Sequence, residues 1–74
     1  MINEENKLFL ENLGSRIKKI RETQNLSKVQ LAFEMNTGEK YIRELEKGKV
    51  NPTTITLLKL SEALNVSIQD LFEF

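Results

Sequence analysis

Between Leu26 and Gly48 the chain reads LSKVQLAFEMNTGEKYIRELEKG, and this stretch leaves the backbone few choices. Ser27 is placed to accept from the amide of Gln30 while the Gln30 side chain reaches back, a capping box, and Leu26 is placed to pack on Leu31 as a hydrophobic staple. These local signals agree on one helix start. Leu31, Ala32 and Met35 then recur at helical spacing until Asn36-Thr37-Gly38, where turn chemistry replaces periodicity. Asn tolerates the left-handed conformation that ends a helix, and Gly38 is an acceptable N-cap for a second helix over residues 39–47 that stops at Gly48. Ile42 and Leu45 define the buried side of that helix, with Tyr41 at its edge. Glu39, Lys40, Arg43, Glu44 and Lys47 lie on the opposite side.

Two short helices need partners to bury their apolar sides, and the flanking sequence supplies them. Upstream, Phe9, Leu13, Ile17 and Ile20 recur at spacings of four, four and three, which predicts helix over residues 5–24. Gly14 interrupts it at a cost of ~1 kcal/mol. Two readings stay open: one continuous helix, or a helix beginning near Gly14-Ser15 with residues 4–13 as a separate turn or loose extension. Thr23-Gln24-Asn25 ends it, Asn25 taking the left-handed position. Downstream, Lys49-Val50-Asn51 reads as a polar loop closed by Pro52. Thr53 is a ready N-cap for a helix over residues 54–64, with Leu57, Leu58, Leu60, Ala63 and Leu64 as its apolar face and Asn65 as its end. A fifth short helix is expected to begin with Ser67 as cap, Asp70 three residues on, and Val66 facing Leu71 as a second staple. No alternating run reads as a strand. The expected fold is all-α, a compact five-helix domain over residues 13–74 preceded by an N-terminal extension, residues 1–12, that is itself helical.

The 74 residues contain no cysteine and no histidine. Disulfides, thiol chemistry, the usual zinc sites and the commonest general base are therefore ruled out. Glu4-Glu5 and Glu44-Glu46 are the nearest approach to a catalytic carboxylate pair, but neighbours one or two apart on a helix do not share a face, and no nucleophile or phosphate loop accompanies them. The expectation is a protein that is not an enzyme and holds no metal or cofactor. No apolar run approaches the ~18 residues of a membrane span, and the acidic start, Met1-Ile2-Asn3-Glu4-Glu5, lacks a signal-peptide pattern, so a soluble, cytoplasmic location is expected.

Net charge is zero, yet its distribution is uneven. Residues 15–51 hold nine Lys or Arg against five acids, while residues 1–14 and 52–74 each hold one Lys against three acids. Acidic flanks thus cancel a basic centre, and local attraction for phosphate survives there.

The small Ala32, the turn four residues later and the branched apolar residues Ile42 and Leu45 together resemble the helix-turn-helix of phage repressor and Cro-type (XRE-family) DNA-binding domains. The likeness extends through Leu13-Gly14-x-Arg16-Ile17, Glu46-x-Gly48, Asn51-Pro52-Thr53, Leu57 to Leu60, and Ala63-Leu64-Asn65-Val66-Ser67 to Asp70-Leu71-Phe72. It covers roughly residues 13 to 72 and implies a lambda-repressor-like fold and sequence-specific binding of double-stranded DNA.

Several residue roles follow from that resemblance. The second motif helix would enter the major groove with Glu39, Lys40, Arg43 and Glu44 at base edges. Lys40 and Arg43 can donate to guanine O6 and N7, and either acid can accept from cytosine N4. Two acids on this face depart from the Gln, Ser, Thr and Arg more usual there. Lys28, standing where the family usually has Gln, would join Lys47 and Lys49 as phosphate contacts. Arg21 and Glu46 would form a structural pair tying the first helix to the end of the reading helix. The implied function is that of a transcriptional regulator, in the first place a repressor, acting as a homodimer. The alternatives are an antitoxin-like or restriction-controller DNA-binding protein with a protein partner, or an interaction module that kept the fold without DNA affinity.

A chain this short buries only ~60–65% of its unfolded surface. Burial against a second copy would add to its core. Ile68, Phe72 and Phe74 are the candidate dimer interface, because Phe74, beyond the last helical turn, has little chain to pack against. Ile2, Leu8 and Leu10 of the extension form a competing interface.

Overall fold

The computed structural model describes residues 3–74 and contains four α-helices and one 3-10 turn in that range. They are α1 (Glu4–Thr23), α2 (Lys28–Glu34), α3 (Glu39–Glu46), α4 (Thr54–Leu64) and the turn Gln69–Phe72. No strand is found among the described residues. The fifth helix of the sequence reading is thus a single tight turn. Its capping box is present, Ser67 Oγ accepting from the Asp70 amide at 3.1 Å and Asp70 Oδ2 from the Ser67 amide at 2.9 Å.

Local signals set the helix ends. Asn3, Ser27 and Thr53 each accept from the amide three residues on, and Ser27 and Gln30 complete the reciprocal box. Every α-helix then terminates through one device, a residue with positive φ flanked by two backbone bonds that close the last turn. At α3 the Gly48 amide donates to the Leu45 carbonyl and the Lys49 amide to the Glu44 carbonyl. Asn25, Asn36 and Asn65 occupy the equivalent left-handed positions after α1, α2 and α4. Asn is one of the few side chains that reaches this region at low cost.

α1 is continuous through Gly14, and the reason is tertiary. A Cβ there would stand 2.5 Å from the carbonyl oxygens of Leu45 and Glu46, so the C-terminus of α3 lies directly on the backbone of α1. The helix-interior cost of glycine is offset by that close approach. Gly48 makes the converse contact, facing the backbone of Glu11 with φ 75°. The 20-residue α1 runs unbroken across the boundary between residues 12 and 13.

The core contains Leu13, Ile17 and Ile20 of α1, Leu31, Ala32 and Met35 from α2 and its end, Ile42 and Leu45 of α3, Leu60 and Leu64 of α4, and Leu71. Two expected core positions are wrong. Phe9 is 48% exposed and Leu10 is buried in its stead, while Leu58 is 41% exposed and Ser61 is buried. Ser61 satisfies its hydroxyl on the Leu58 carbonyl at 2.7 Å, so the inward side of α4 tolerates a polar residue.

Phe9 is displaced because it joins the chain's C-terminal end. Its ring stacks on Phe72 with centroids 6.0 Å apart and meets the edge of Phe74 at 5.4 Å. Phe74 therefore does have chain to pack against, contrary to the sequence expectation. Arg16 holds the same end, donating from Nε to the Asp70 carbonyl at 2.7 Å and pairing with Glu73 at 3.3 Å. Leu10 is buried and Leu8 exposed, whereas Ile2 lies outside the described residues.

Candidate nucleic-acid interface

α3 packs through Ile42 and Leu45, both buried, which aims its remaining faces outward. Lys40 is exposed, and Glu39, Arg43 and Glu44 are half-buried. Glu39 accepts from Nη1 of Arg43 one turn away, so these two side chains form a single unit along the helix. Lys40 and Glu44 have the same i,i+4 spacing but make no ion pair within 4.0 Å among the described residues.

The base of α3 is fixed by a buried ion pair. Arg21 donates from Nε and Nη2 to Oε2 and Oε1 of Glu46 at 2.7 and 3.0 Å, and its Nη1 donates to the Leu26 carbonyl at 2.7 Å. Arg21 is 5% and Glu46 8% exposed. The forked geometry satisfies both carboxylate oxygens, and no buried side-chain polar atom among the described residues lacks a partner. The hydrogen bond to Glu46 pushes the Arg21 pKa up against the opposing effect of burial. One arginine thereby joins α1, the segment before α2 and the end of α3.

Above this pair lies a cleft of about 270 Å³ lined by Lys18, Lys28, Arg43, Glu46 and Lys47. It brings together Lys28 and Lys47, two of the three lysines that the sequence marks for phosphate. Lys49 is not part of it; this residue is exposed in the loop that follows α3. Lys18 belongs to the cleft and escaped the sequence reading. The signal was present, since Lys18 is three residues before Arg21 and shares its side of α1; whatever side of α1 meets Glu46 carries Lys18 with it.

Chemically the surface offers cations and hydrogen-bond donors beside the carboxylates of Glu39 and Glu44. No group of three or more acidic, His or Cys side chains able to hold a metal occurs among the described residues, and no described helix is long and apolar enough to cross a membrane.

A helix-turn-helix family profile matches residues 17–71, and the chain belongs to that family. It is 36% identical over 56 residues to the immunity repressor protein of Bacillus phage phi105, covering 76% of this chain and 39% of that protein. The chain thus spans well under half of the phage repressor. It is also 36% identical over 62 residues to the control protein C.BamHI of Bacillus amyloliquefaciens, covering 82% of this chain and 76% of that one. Among solved structures it resembles the restriction-modification controller protein C.AhdI of Aeromonas hydrophila, with a TM-score of 0.83 and 32% identity over 85% of this chain and 96% of that chain.

Proposed function

We propose that this chain binds double-stranded DNA sequence-specifically as a homodimer and regulates transcription in the cytoplasm, repressing by occupying its site. The observation that carries the reading is that α3 keeps Lys40, Arg43 and Glu44 off the core while its base adjoins a lysine-lined cleft. A helix fits the major groove, and its exposed side chains then meet base edges. Cations beside it meet the phosphates, which position the protein without reading sequence. Glu39, Lys40, Arg43 and Glu44 are the proposed readers, and Lys28, Lys47 and Lys49 the proposed backbone contacts. A single α3 spans too few base pairs for a unique site, whereas a two-fold dimer sets two reading helices about 34 Å apart on one side of the duplex.

Selection of bound duplexes from a random pool tests this reading. An enriched inverted repeat is expected, with affinity falling steeply in salt at a slope of about −0.9 per neutralised phosphate. No enrichment, or binding indifferent to salt, would overturn it.

A restriction-controller role is a second reading, favoured by the likeness to C.BamHI and to nearly the whole length of C.AhdI. Restriction and methyltransferase genes beside the coding sequence would support it, and their absence would leave general repression.

A further inference from the structure

We propose that Lys18 of α1 joins Lys28 and Lys47 in a clamp on one phosphodiester of the DNA backbone, so that the phosphate surface draws on α1 as well as on the start of α2 and the end of the helix-turn-helix. The inference rests on the DNA-binding reading above and deepens it.

Charge within the cleft carries the inference. Its lining holds four cations and one carboxylate, Lys18, Lys28, Arg43 and Lys47 around Glu46. Glu46 is already taken, both of its oxygens being engaged by Arg21. Arg43 has its own partner in Glu39. Three lysines therefore line one cleft with no carboxylate partner within 4.0 Å among the described residues, and an anion placed there is attracted by all three.

The chemistry of the lining selects the kind of anion. Ammonium groups act as point charges with freely turned donors, which suits the two non-bridging oxygens of a phosphodiester. Arg43 lines the cleft and also belongs to the outward side of α3. The cleft thus adjoins the proposed reading side of α3, where a strand backbone would lie.

The backbone position of Lys18 is set relative to α3 by its neighbours on α1. It lies one turn before Arg21, whose forked bond to Glu46 ties α1 to the end of α3. It also lies one turn after Gly14, where the two backbones touch. Its distance from Lys47 is set by the same contacts that set the orientation of α3.

Full-length protein would be titrated with the selected duplex and with an unrelated duplex across a range of salt, as wild type and as Lys18→Ala, Lys28→Ala, Lys47→Ala and Lys19→Ala. Lys19 is exposed on α1 but does not line the cleft. Lys18→Ala is expected to weaken both duplexes by the same factor and to make the salt slope shallower by about one, with Lys19→Ala near wild type. The double variant Lys18→Ala/Lys47→Ala should lose less than the product of the single losses, because both lysines serve one phosphate. Wild-type affinity and slope in Lys18→Ala, alongside losses in Lys28→Ala and Lys47→Ala, would overturn the clamp while leaving DNA binding intact. Equal losses in Lys18→Ala and Lys19→Ala, or a strictly multiplicative double variant, would also overturn it. Failure of the wild type to bind any duplex would instead remove the functional reading, and the clamp with it.

Discussion

A Cβ on Gly14 would stand 2.5 Å from the carbonyl oxygen of Glu46, so the backbone of α1 and the last turn of α3 are in direct contact. Gly14→Ala gains helix propensity but has to push α3 away, and the obstacle is backbone that cannot rotate aside. The expected net result is a loss of about 1–3 kcal/mol in chemical denaturation. A stabilised Gly14→Ala variant would show that α3 gives way at no cost.

Arg21 and Glu46 form the buried link between the same two helices. Removing either partner leaves a charge buried without its counter-ion, and Arg21→Met or Glu46→Gln should each cost about 3–5 kcal/mol. The double replacement Arg21→Met/Glu46→Leu should recover much of that loss in stability yet bind DNA less well, since α3 loses its anchor. The raised Arg21 pKa also has a sign. Stability linked to it is complete below the unfolded-state pKa and is lost only as pH climbs through the still higher folded-state value. Melts from roughly pH 6 to 9 should therefore show no change from this group.

On the outward side of α3, Lys40 and Glu44 have no ion-pair partner among the described residues while Glu39 and Arg43 are paired. Lys40→Ala and Glu44→Ala should each relax preference at separate base positions, by about 1–3 kcal/mol of discrimination. Glu39→Ala and Arg43→Ala should alter the same position, because each side chain sets the rotamer of the other. Repeating the selection with all four variants checks this, and an unchanged consensus throughout would remove these residues as readers.

Phe9 and Phe74 touch, which brings the start of α1 against the C-terminal candidate surface; of the competing N-terminal set Leu8 is exposed, whereas Leu10 is spent in the core. Ile68 is exposed as well. Light scattering over a range of concentration should show that Phe9→Asp and Phe74→Asp weaken self-association alike. A dimer that survives both, and also Ile68→Asp, would place its interface away from this apolar patch.

The sequence by itself determined the helix boundaries around the turn. Ser27 with Gln30, Thr53 with Thr56, and the left-handed Asn36, Gly48 and Asn65 act between residues at most a few positions apart. These interactions are local, so their chemistry is legible from spacing alone. The bulk of the core was legible for a similar reason, as Leu13, Ile17, Ile42, Leu45 and Leu60 follow the helical period.

Tertiary structure alone decided what depends on residues far apart in sequence. Whether α1 passes through Gly14 rested on the approach of Leu45 and Glu46, which propensity cannot register. Periodicity put Phe9 inside, but the rings of Phe72 and Phe74 drew it to the edge and left Leu10 to fill the core. Lys18 read as one more surface charge until the folded chain set it beside Lys28 and Lys47. A helical period says which residues share a side of one helix. It carries no information about which other helix that side will meet, and the lysine-lined cleft exists only at such a meeting.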